Sequence, residues 1–340
     1  MLNVPTRLSF YGGEVIERSE TCADPNPNAL RFSGFADLYD ANRPTAPDGL
    51  GLLLAAYAGV PAPRVVDIGS GTGLSSRWAA SWASHVTGVE PNADMRAQAE
   101  ARPTTGVEYR DGTSGDTGLP PESADVVLAV QAMHWMEPLS TMREVARILR
   151  PGGAFAVIDA DWPPVTGVVE AEMAWQKFHR RVRVFEARAA RGEAGDQLRA
   201  RIEDDDPALI DEDLRDPHRN RAMPGGVQSW SKAEHLDRIQ KSGHFAFARE
   251  LVFNQPVGGG ADRFVALMRS QGSYQTLRRL GLSDEELGAT AFEHHVRRAY
   301  ASADSSALPA LSFSWRVRLG LIPRTGHDIL GASESIELVG

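Results

Sequence analysis

The run Val65-Val66-Asp67-Ile68-Gly69-Ser70-Gly71-Thr72-Gly73 sets three glycines at alternate positions directly after a short apolar segment. Glycine is demanded where the chain turns with positive φ, or where a ligand lies against bare backbone. An acid, Asp67, closes the segment before that loop, and His85-Val86-Thr87-Gly88-Val89-Glu90 repeats the arrangement, an apolar run ending in a carboxylate. A carboxylate at such a place is positioned to accept hydrogen bonds from the two hydroxyls of a ribose. The spacing is G-x-G-x-G, not the G-x-G-x-x-G that seats a pyrophosphate on a helix N-terminus. A third chemically able stretch, Gln131-Ala132-Met133-His134-Trp135, follows another apolar run and carries an imidazole.

These residues need elements that deliver them to one edge. Five strand-like runs, Arg64–Ile68, His85–Val89, Val107–Arg110, Asp125–Val130 and Ala154–Asp159, alternate with helical stretches. Such alternation implies parallel βαβ units with right-handed crossovers, which bring every strand's carboxyl end to the same side. Pro151-Gly152-Gly153 reads as a turn between a helix over Leu139–Leu149 and the fifth strand. After Pro163-Pro164 the period changes: Val168, Ala171, Trp175, Phe178, Val182 and Phe185 recur at steps of three and four, the apolar face of a helix. Ser231 reads as the N-cap of a helix reaching Lys241 and ended by Gly243. Phe247–Val257 and Leu311–Leu321 supply two further strands, and Glu203–Asp206 lies in a polar loop.

Taken in order, VVDIGSGTG, VTGVEPN, GTSGDTGLP before ADVVLAV, QAMHW and RILRPGGAFAVID resemble the class I S-adenosylmethionine (SAM)-dependent methyltransferases, within the broad group similar to trans-aconitate methyltransferase and the type 11 methyltransferases. The resemblance implies an α/β Rossmann-like sheet of seven strands, order 3-2-1-4-5-7-6 with the seventh antiparallel, under a mainly helical cap. It divides the chain into an N-terminal arm (1–30), a SAM-binding core (31–162), a cap insertion (163–226), a return to the core (227–257), a second cap excursion (258–310), the last core strand (311–323) and a tail (324–340). It also implies that Gly69, Ser70, Gly71 and Gly73 let the backbone approach the methionine portion of SAM, and that Asp67 takes part through the amino group or ordered water. Glu90 would bind the ribose, Thr113 and Ser114 would contact the adenine, and Pro91 and Gln131 are also expected to be cofactor-binding. The group usually has Asp where this chain has Thr113, so the adenine contact falls to backbone, to the Thr113 hydroxyl or to Asp116. Tyr39 and Arg43 resemble an element that closes over SAM and pairs its carboxylate, for which an Arg fork is suited.

Methyl transfer from a sulfonium needs an oriented acceptor above all, and positioning can supply roughly 7–11 kcal/mol of the barrier. His134 is the candidate base; the other reading is that the His-Trp pair shapes the cleft, with Trp135 as wall. Glu170 is a second candidate, against the alternative of a carboxylate favouring the first turn of its helix. His179, Arg180, Arg181 and Arg183 could attract an acidic substrate, or simply form a charged helix face. No metal is expected: His294-His295 lacks a partner at ligand spacing, and Cys22 is the single cysteine.

Across 340 residues the hydrophobic share is 42% and the net charge −9, which favour a globular core and offer no basic footprint for nucleic acid. No run approaches a membrane span and no leader pattern opens the chain, so a cytoplasmic location is expected. The expected reaction transfers a methyl group from SAM to an O, N or C atom of a small molecule, of the sort met in secondary metabolism, leaving S-adenosylhomocysteine (SAH). The alternatives are methylation of a macromolecule and a nicotinamide-dependent oxidoreductase on the same plan.

Overall fold

The computed structural model describes residues 42–199, 221–222, 228–303 and 311–324. Tyr39, Cys22, the arm, nearly all of the tail and the polar stretch at 203–206 lie outside these residues.

Seven strands form one sheet: β1 (Arg64–Ile68), β2 (His85–Val89), β3 (Val107–Arg110), β4 (Ala124–Val130), β5 (Leu149–Ala160), β6 (Phe247–Val257) and β7 (Leu311–Leu321). Their order is β3-β2-β1-β4-β5-β7-β6. The first five run parallel, and β7 is antiparallel to both β5 and β6. The sheet therefore has the expected class I order. Central strands covered on both faces read as near-continuous apolar runs, and β4, Ala-Asp-Val-Val-Leu-Ala-Val, is buried at its first six positions, Asp125 included. Side chains alternate faces: Val65, Val126 and Ala154 enter one core with the cap, and Val66, Val127 and Phe155 enter the other.

One local expectation is corrected. Pro151-Gly152-Gly153 is not a turn preceding β5 but part of it: pairing begins at Ala124 with Leu149, then slips to Val126 with Ala154. Gly152 has φ 74° at this irregularity, so the extra residues are absorbed as a bulge that positive φ makes possible.

Helices α1 (Asp48–Ala58), α2 (Leu74–Ala79), α3 (Ala93–Glu100) and α4 (Pro138–Ile148) belong to the parallel half. Helix α5 (Val169–Ala190) carries the apolar face read from sequence, with Ala171, Trp175, Phe178, Val182 and Phe185 all buried. That face meets α8 (Ala261–Arg269), α9 (Gly272–Arg279) and α11 (Ala289–Ser302); the Trp175 ring lies 5.1 Å from Phe264 and 6.0 Å from Phe292. Between them in sequence come α6 (Asp196–Arg199), α7 (His235–Lys241) and α10 (Asp284–Leu287). Among the described residues no helix is long and apolar enough to cross a membrane.

Candidate cofactor site

The chain runs outward along β1, β2 and β3 on one side and β4 and β5 on the other, so a crevice opens at the carboxyl ends of β1 and β4. Open α/β sheets bind ligands at this switch point. A cavity of about 350 Å³ lies there, at the lower end of the range for small-ligand sites.

The loop after β1 is shaped by its glycines. Gly69 has φ 67° and Gly71 φ 55°. A Cβ at Gly69 would stand 2.7 Å from Met136 Cε and 2.9 Å from Ala132 Cβ. The Gly69 amide donates to the Val89 carbonyl at 2.8 Å, which ties the loop to the end of β2. Gly69, Ser70 and Gly71 line the cavity, and Gly73 does not. Gly73 has φ 80°, and a Cβ there would overlap the Tyr109 hydroxyl at 2.1 Å, so its glycine answers to packing.

Asp67 also stands behind the wall. It is fully buried, with Oδ2 accepting from Ser75 Oγ at 2.7 Å and Ser76 Oγ at 2.6 Å, while Oδ1 has no hydrogen-bond partner. Burial raises its pKa to about 6, against the lowering effect of the two serines. The carboxylate thus braces the first turn of α2 from beneath the glycine loop.

Glu90 lines the cavity and is 7% exposed. Its Oε2 accepts from the Gly71 amide at 2.9 Å and its Oε1 from the Asn92 amide at 2.8 Å. Burial pushes its pKa up, opposed by those two amides. Each oxygen keeps acceptor capacity beyond its single bond, and Pro91 continues the wall.

On the far side, Thr113 and Ser114 line the cavity. The Thr113 amide donates to the Asp116 carbonyl at 2.9 Å, and Thr113 Oγ1 accepts from the Asp116 amide at 3.1 Å. Asp116 itself faces elsewhere, Oδ1 accepting from the Gly118 amide at 3.3 Å, and is not among the lining residues. Gln131 and Trp135 line the β4 side, and Arg43 lines the mouth. The Arg43 guanidinium lies 4.6 Å from the Trp162 ring centroid and donates to the Ser270 carbonyl at 3.2 Å, linking the segment before α1 to the cap.

The candidate bases lie elsewhere. Glu170 is an exposed first-turn residue of α5 and lines no part of the cavity. His134 is likewise not among the lining residues; its Nδ1 is 3.8 Å from Asp159 Oδ1, and its ring sits 4.5 Å from that of Trp135. Among the described residues no group of three His, Cys, Asp or Glu side chains is placed to hold a metal.

The profile of the methyltransferase domain family matches residues 66–157, the stretch from within β1 to within β5 that holds the glycine loop, Glu90 and Gln131. Residues 66–157 carry the pattern of a methyltransferase domain. An uncharacterized methyltransferase of Mycobacterium tuberculosis is 34% identical over 131 residues, 38% of this chain and 52% of that protein. A ubiquinone biosynthesis O-methyltransferase of Maricaulis maris is 29% identical over 163 residues, 41% of this chain and 61% of its own. The chain thus spans about half the length of the curated relatives it matches. A solved structure from Anaeromyxobacter dehalogenans, provisionally named a type II methyltransferase, aligns over 83% of this chain and 99% of its own with TM-score 0.50 and 21% identity, which shows a shared fold.

The residues fit SAM on this structure's own terms: a bare backbone cradle at Gly69 and Gly71, a buried carboxylate with spare acceptor capacity at Glu90, and a cavity that both of them line. Sequence reasoning missed Met136, Glu137 and Ser140 on the wall and Asp159 and Lys232 behind it. Glu137 was legible as the cap before Pro138, accepting from the Leu139 and Ser140 amides at 3.0 and 2.7 Å. Lys232 carried no signal, because its partners Gln131 and Asp159 are distant in sequence, Gln131 by 101 residues.

Proposed function

We propose that this protein transfers the methyl group of SAM to an O, N or C atom of a small molecule. The observation that carries this reading is Glu90. A buried carboxylate in the wall of a ligand-sized cavity, already fixed by two amides, with the positive-φ loop directly beside it, suits a ribose diol and the backbone approach of the attached amino acid. SAM would supply an electrophilic methyl group when bound. The chain's part is to hold it against the joined surface of Gly69–Gly71 and Glu90, with Thr113 and Ser114 toward the base and Arg43 toward the carboxylate.

We further propose that His134 shapes the wall instead of removing a proton, since Trp135 faces the cavity and His134 faces Asp159. Orientation of the acceptor then carries the rate. A small acceptor is supported by the net charge of −9 and by the cap, which meets the cavity mouth through Arg43, Trp162 and Ser270. The names of relatives lean the same way: one is a fatty-acid O-methyltransferase of Mycolicibacterium smegmatis, 34% identical over 110 residues. Incubation with methyl-labelled SAM and an extract separated by size tests the reading. Label in low-mass products is expected; label confined to protein or nucleic acid would overturn it.

A further inference from the structure

Gln131 follows β4 directly, in a conformation that needs an explanation. Among the described residues, only it and Glu122 combine a non-glycine side chain with positive φ, and Gln131 has φ 54°. Such residues persist where their surroundings over-determine them. Its amide donates to the Ile158 carbonyl at 2.8 Å, which fixes the backbone against β5. Its Oε1 accepts from Lys232 Nζ at 2.9 Å, and Gln131 itself lines the cavity.

Lys232 is in turn held from behind. Its Nζ is 2.8 Å from Asp159 Oδ1, a carboxylate 3% exposed at the end of β5. Arg318 on β7 fixes the other oxygen, with Nη1 3.1 Å from Asp159 Oδ2, and Glu250 on β6 accepts from Arg318 Nε at 2.7 Å. The buried carboxylate is therefore compensated and immobile, as burial of a charge requires. The main chain on either side is tied as well: the Trp230 amide donates to the His134 carbonyl at 2.9 Å, and Lys232 opens the turn leading into α7, whose Ile239 is buried. The stretch 230–232 thus grips 131–134 at two points from outside the parallel half of the sheet.

We propose that Lys232 is a positioning residue for the cofactor wall: braced by Asp159, it holds Gln131 in its left-handed conformation and so sets the shape of the β4 side of the cavity. This rests on the reading of that cavity as the SAM site. Lys232 touches no reacting atom; it acts through Gln131.

The test is a double-mutant cycle read by calorimetric titration with SAH. Lys232→Met should weaken SAH binding about tenfold, Gln131→Ala by a similar factor, and the double variant no more than either alone. Lys232→Arg, which can still donate to both oxygens, should stay within about threefold of wild type. The turnover number of Lys232→Met at saturating SAM should change less than its KM. Where Lys232→Met fails to fold, the pair Lys232→Met with Asp159→Asn, which removes cation and anion together, takes its place in the cycle. An unchanged Kd in the Lys232 variant, or fully multiplicative effects in the double variant, would overturn the proposal. Failure of the wild type to bind SAH would instead sink the cofactor reading, so the two failures are distinct.

Discussion

Asp67 should make this protein less stable as pH rises through mild acidity. Its folded pKa of about 6 stands above the ordinary 3.8, because burial disfavours the charge more than the two serines favour it. Between those values the folded state holds a proton that the unfolded state has released. Stability is therefore full below pH about 4 and falls until pH passes about 6. A folded value of about 6 against 3.8 corresponds to about 3 kcal/mol. Asp67→Asn removes the titration. It also places an amide where Oδ1 lacks a partner, a roughly constant penalty that does not vary with pH. The observable is thus the change in the stability gap between variant and wild type, from urea unfolding at a series of pH values. The gap should move in the variant's favour by about 2–3 kcal/mol between pH 4 and 7.5. Glu90 interacts with Asp67 and contributes in the same direction, since losing one negative charge eases the ionisation of the other. A gap that stays flat across this range would refute the assignment of a buried, reluctantly charged Asp67.

Glu90→Ala should weaken SAH binding by about 1.5–3 kcal/mol, and it should also lower the stability of the free protein by about 1–3 kcal/mol because the Gly71 and Asn92 amides lose their acceptor; titration and urea unfolding read the two effects separately. Gly69→Ala should destabilise by about 2–4 kcal/mol, combining a left-handed backbone with a methyl group pressed on Met136 and Ala132; a loss under 1 kcal/mol would show that the loop relaxes. His134→Gln should retain most of the single-turnover methylation rate from pH 6 to 8. A drop of about 10²–10⁴-fold with loss of a pH limb would instead make His134 the base.

Much of the scaffold was legible because it rests on local pattern. The parallel strands announce themselves as short apolar runs, and the faces of α5 as three- and four-residue steps. The glycine loop was legible too, since positive φ leaves a residue-type signature. The same signature misled at one place: Pro151-Gly152-Gly153 resembles a turn yet bulges within a strand whose neighbour dictates continued pairing. Gly73, in the same motif as Gly69 and Gly71, packs against Tyr109. Residue type at His134 suggested a base, but the direction of its ring depends on Asp159, a partner supplied by the next strand. Lys232 was silent for the same reason: its meaning lies in Gln131 and Asp159, distant in sequence and adjacent only after the sheet assembles.

The crevice at β1 and β4 is proposed to bind SAM through the glycine loop and Glu90. Calorimetric titration of the wild-type protein with SAH, beside a parallel titration with NAD, tests it most directly. The account predicts saturable binding of SAH at one site per chain, weakened in Glu90→Ala, and no heat from NAD. Binding of NAD in place of SAH, or an SAH affinity indifferent to Glu90, would contradict it.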